Sequence, residues 1–71
     1  MQEQELTAQT YFERGFSAGD PDEKIRFYNE AIRLKSDFGA PYGKRALLWT
    51  QKAAFRAAIA DFRKYLELPM R

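Results

Sequence analysis

Ten carboxylates, twelve lysines and arginines, four tyrosines and a few hydroxyls and amides are the only side chains in these 71 residues with reactive or ligating chemistry. Histidine and cysteine are absent. That removes the Ser-His-Asp triad, the Cys-His nucleophile, and imidazole or thiolate ligands for zinc. The densest carboxylate group is Asp20, Asp22 and Glu23. A calcium loop spreads its oxygen ligands over twelve residues around a central glycine. These three instead flank Pro21 and read as the opening of a helix: Asp20 the N-cap, Pro21 the first helical position, Glu23 the acid three residues after the cap. Gly15 and Gly19 do not make a phosphate loop, because the first falls inside a helical rhythm as a small packing residue and the second at its end. No enzymatic activity, cofactor or metal is expected.

The elements that carry these residues are helical throughout. Ala8, Tyr11, Phe12, Gly15 and Phe16 follow a three-four rhythm, which predicts a first helix over about 3–18 with Gly19 as its terminating glycine. The second should run from Pro21 to Leu34 or Lys35, with Ile25, Tyr28, Ala31 and Ile32 inward and Lys24, Arg26, Glu30 and Arg33 outward. Ser36-Asp37-Phe38-Gly39 carries the next break. Pro41 fits only the first turn of a third helix, about 40–52, whose inner stripe is Tyr42, Ala46 and Trp49. The stripe then rotates to Phe55, Ala58, Ile59, Phe62 and Leu66, predicting a fourth helix over about 54–68 that ends at Pro69. That phase change requires a turn near Lys52-Ala53-Ala54, although no glycine, proline or Asx residue marks it. A continuous helix through this point, exchanging hairpins between copies, is the competing expectation.

Composition bounds the assembly. A chain this short forms one domain, burying about 60% of its unfolded surface. With 15% aromatic and 31% charged residues it is too apolar for disorder and too charged for a membrane span. No secretory leader pattern opens it and no cysteine records an oxidising compartment, so the cytoplasm is expected. The net charge of +2 hides an asymmetry: residues 1–23 set six acids against Arg14, while residues 24–71 carry eleven Lys/Arg against four acids.

Ile25, Tyr28, Ile32 and Leu34 recur 34 residues later as Ile59, Phe62, Leu66 and Leu68. Such a period marks stacked helical hairpins, each with an apolar face that only a neighbour can bury. Tyr11-x-x-Arg14-Gly15 and Tyr42-x-x-Arg45-Ala46, with Tyr28 and Ala31 in one second helix and Ala58 and Phe62 in the other, resemble the tetratricopeptide repeat family. Arginine stands where that family has leucine, Lys24 and Tyr65 where it has small residues, and Ser36 where it has proline. The two tyrosines are 31 residues apart whereas the second helices are 34 apart, so the first hairpin is shorter at its turn. The resemblance implies an all-α fold of two helix-turn-helix repeats, about 7–37 and 38–69, making four helices without a capping helix.

It also implies protein–protein interaction, with the first helices of the hairpins lining a concave groove for a peptide or a helix. The groove positions here would be Gln9, Phe12, Glu13 and Phe16 from the first hairpin, and Ala40, Gly43, Lys44, Leu47, Thr50 and Gln51 from the second. Self-association, as a homodimer or a higher homo-oligomer, is expected from the uncovered apolar residues of the groove and the last helix. Nucleic acid, as single-stranded RNA on the basic second half, is the alternative class. Against it, base-reading repeats need polar side chains where this chain has Phe12, Phe16, Gly43 and Leu47.

Overall fold

In the computed structural model, which describes residues 6–69, the chain forms four helices: α1 (Ala8–Ser17), α2 (Pro21–Leu34), α3 (Gly39–Gln51) and α4 (Phe55–Glu67). Among the described residues there is no strand. Connections of a few residues turn each helix back on the one before it. The result is a slab of 45 × 28 × 16 Å in which each helix packs mainly on its sequence neighbours. None of these helices is long and apolar enough to cross a membrane.

Local chemistry explains each boundary. Thr7 caps α1 by accepting from the Thr10 amide, so the helix starts at Ala8 with its apolar rhythm and leaves out Leu6 and Thr7, which were expected within it. Residues 3–5, expected in this helix, lie outside the described residues. At the other end Ala18 turns extended (φ −66°, ψ 148°), and Gly19 does not adopt the left-handed conformation expected of a terminating glycine. The exposed carbonyls are covered instead by Lys24, whose Nζ donates to the oxygens of Gly15 (3.1 Å) and Phe16 (3.0 Å). Lys24, expected to face solvent, therefore bridges the two helices. The short turn brings the first turn of α2 beside the negative end of the α1 dipole, where a cation is stabilised.

Asp20 caps α2 as expected, its Oδ2 accepting from the Glu23 amide at 3.1 Å. After α2, the Tyr42 hydroxyl donates to the Ser36 carbonyl (2.9 Å) and ties the turn to α3. Between α3 and α4 the expected turn is present. The Ala54 amide donates to the Trp49 carbonyl and the Ala53 amide to that of Thr50, the double bond pattern of a Schellman ending. Ala53 occupies the left-handed position at φ 62°, where glycine is the usual residue. Thus α3 and α4 form a hairpin rather than one continuous helix.

The core is narrow. Ile25 and Tyr28 of α2 meet Leu48 of α3, with Phe12 and Trp49 packed against them. Small residues set the helix spacing: Ala31 and Ala46 are fully buried, and a Cβ at Gly15 would fall 2.6 Å from the Tyr28 ring. On α4 the expectation fails for most of the stripe. Ala58 is buried, but Phe55, Ile59, Phe62 and Leu66 are exposed, Leu66 by 79%. Turned inward beside Ala58 is Asp61. Arg45 accounts for the rotation, since its Nε and Nη2 hold both Asp61 carboxylate oxygens, at 2.7 and 2.8 Å, while its Nη1 donates to Asn29 of α2 at 2.7 Å. The arginine at the leucine position of the resembled pattern thereby ties α2, α3 and α4 together.

Candidate binding groove

Gln9, Glu13 and Phe16 share one face of α1, and Ala40, Lys44, Leu47 and Gln51 one face of α3, as expected for positions three and four apart. The two faces meet where the Lys44 ammonium lies 5.3 Å above the centre of the Phe16 ring. Phe16 and Leu47 are 61% and 51% exposed, unlike the core residues on the other side of the same helices. Beyond them a shallow cavity of about 260 Å³ is lined by Ala40, Gly43, Lys44, Leu47, Phe62 and Tyr65. Gly43 opens it: a Cβ there would stand 3.1 Å from the Tyr65 ring. Lys44 thus lies over the Phe16 ring at the rim of this cavity.

The other groove positions divide by role. Phe12 is spent on packing, its ring 5.6 Å from that of Tyr28 and 5.4 Å from that of Phe38. Gln9 donates to Glu13 at 3.0 Å along the exposed side of α1. The Thr50 hydroxyl donates to the Ala46 carbonyl of its own helix at 3.0 Å. Gln51 lies exposed at the end of α3. The structure therefore brings Phe16, Gly43, Lys44 and Leu47 together as one surface and adds two wall residues, Phe62 and Tyr65. Tyr65 was legible only as a large residue where the resembled pattern has a small one. Its place beside Gly43 depends on how α4 lies against α3.

A second cavity, of about 540 Å³, lies between the α2–α3 turn and the end of α4, lined by Phe38, Gly39, Ala40, Tyr65, Leu68 and Pro69 together with the Lys35–Asp37 ion pair (3.1 Å). The acidic group at the start of α2 is dispersed: Asp20 serves the Glu23 amide, and Asp22 pairs with Lys52 at 2.7 Å. The hydrogen bond and charge of Lys52 hold the Asp22 carboxyl below its ordinary value. Arg33 does the same to Glu30 by a bidentate contact on the outer face of α2. Burial raises the Tyr28 hydroxyl. Among the described residues no three carboxylates come together as metal ligands would. Comparison with known proteins adds no relative: no family model, no characterised protein and no solved structure matches the chain.

Proposed function

We propose that this chain is a protein-interaction module of tetratricopeptide type that receives an apolar peptide segment of another protein across α1 and α3. One observation carries the reading: Phe16 of α1 and Leu47 of α3 stand more than half exposed, with the Lys44 ammonium over the Phe16 ring and an open cavity beside Leu47. Solvated helix faces are normally polar, and a contiguous apolar patch rimmed by charge is a common mark of a partner site. The hairpin order, and the inward placement of Gly15 and Ala46, support the repeat resemblance.

The test is fluorescence anisotropy with a panel of labelled leucine-rich peptides. At least one should bind, and Leu47→Asp should weaken it about tenfold, the scale of one lost apolar contact. A single-stranded RNA oligonucleotide serves as the opposing probe. If only RNA binds, with affinity falling steeply in salt, the peptide reading is wrong. If no peptide binds and sedimentation shows a dimer that Leu47→Asp dissolves, the groove is filled by a second copy instead.

A further inference from the structure

The exposed face of α4 has a twin inside the molecule. Ile25 and Tyr28 of α2 are buried beneath Leu48 of α3, yet their counterparts 34 residues on, Ile59 and Phe62, are 56% and 37% exposed. With Phe55 and Leu66 they are spaced four, three and four residues apart, the spacing of a seam that accepts another helix. One edge of the seam is basic. Arg56 and Arg63 line that edge at a seven-residue spacing, and their side chains make no hydrogen bond or ion pair among the described residues. Of the two acids of α4, Asp61 is turned inward and consumed by Arg45, and Glu67 stands exposed at the last residue of the helix, so the basic edge is set by Arg56 and Arg63 along the body of the seam.

From this juxtaposition we infer that α4 is a second docking surface, and that its occupant is an acidic amphipathic helix of another protein. Apolar side chains of that helix fill the seam as Leu48 of α3 does against α2, and its glutamates or aspartates meet Arg56 and Arg63. A second copy of this chain is a poor occupant in either arrangement. Two α4 helices facing each other antiparallel would set Arg56 against Arg63, a repulsive register. Nor does α1 supply the missing helix, because Arg14 and Ser17, in line with Arg45 and Leu48 of α3, are exposed and polar. The surface is distinct from the α1–α3 groove, which it meets only at Phe62.

The experiment uses a synthetic helical peptide of about 18 residues, long enough to hold a helix, with leucines on one stripe and glutamates on both flanks, and a twin with lysines on the flanks. The wild-type chain should bind the glutamate peptide at least about tenfold more tightly than the lysine peptide. Ile59→Ser/Leu66→Ser should abolish most of that binding, while Leu47→Asp leaves it unchanged. Arg56→Glu/Arg63→Glu should reverse the preference between the two peptides. All five substituted side chains are exposed, and far-UV circular dichroism checks that each variant folds. Equal binding of both peptides, or binding insensitive to Ile59 and Leu66, overturns the proposal. So does a wild-type dimer that Ile59→Ser/Leu66→Ser converts to monomer, since the occupant is then a second copy. Loss of binding on Leu47→Asp alone would assign the peptide to the groove and refute only the α4 site.

Discussion

Removing the Asp61 carboxylate tests the central tie of this fold. In Asp61→Ala the Arg45 guanidinium, 19% exposed, loses two charge-assisted hydrogen bonds of 2.7 and 2.8 Å. Breaking one side of a buried pair typically costs 3–5 kcal/mol. Here Arg45 keeps its bond to Asn29 and its place over the Tyr42 ring, 5.7 Å from the centre, so about 2–3 kcal/mol is expected. A chain of this size has about 4–10 kcal/mol in total, so the loss should lower the melting temperature by about 10–20 °C. Arg45→Leu should cost more, because the Asp61 side chain is only 8% exposed and has no other side-chain partner among the described residues in its pocket beside Ala58. The double variant Arg45→Leu/Asp61→Leu removes both charges and should recover to within about 1 kcal/mol of the wild type. Urea titration followed by circular dichroism measures all three. A cost below about 1 kcal/mol for Asp61→Ala, or additive effects in the double variant, would refute the idea that this pair holds α2, α3 and α4 in register.

Ala53→Gly should stabilise the chain by about 0.5–1 kcal/mol, since it relieves a left-handed alanine costing about 1–2 kcal/mol and returns part of that as backbone entropy; a destabilised variant would contradict the turn geometry. Gly15→Leu should destabilise by at least about 1–3 kcal/mol in thermal melts, because the Tyr28 ring occupies the space a side chain needs. Asp20→Ala should lose about 0.5–2 kcal/mol with the cap on the Glu23 amide, and adding calcium should leave both proteins' melting temperatures unchanged. The Asp22 carboxyl is held below its ordinary 3.8 by Lys52, so its contribution to stability is present above that value and fades as pH falls through the lower native one. Lys52→Gln should bring the Asp22 titration, followed by NMR, back towards 3.8 and flatten that acid-side dependence.

Helix positions were legible where the sequence carries backbone chemistry. Asp20-Pro21 marks the start of α2 to the residue, and Pro41 places the first turn of α3. The α3–α4 turn was legible only through the change of apolar phase, because the residue in its left-handed position is alanine. Periodicity showed that α4 is amphipathic, but the direction of its apolar stripe depends on which neighbour exists to cover it. That is why Ile59 and Leu66, inward by periodicity alone, are exposed. Lys24 and the Arg45–Asp61 pair were invisible for a related reason: their partners are brought near by helix packing, across nine and sixteen residues. In the groove, Phe16, Gly43, Lys44 and Leu47 were named by the repeat resemblance, whereas Tyr65 and Phe62 enter the cavity only through the angle between α3 and α4.

Packing each helix chiefly on its neighbour in sequence has a kinetic consequence. Loop closure across a few residues costs little entropy, so either hairpin can form before the other exists. Chains dominated by such local contacts fold within microseconds to milliseconds. The same arrangement lets α4 detach without disturbing the cluster of Ile25, Tyr28 and Leu48, because it shares the Arg45–Asp61 tie with that cluster's scaffold but none of its three side chains. Amide exchange should therefore be fastest in α4 and slowest in α2, and a ligand seated on α4 would announce itself by slowing exchange there first.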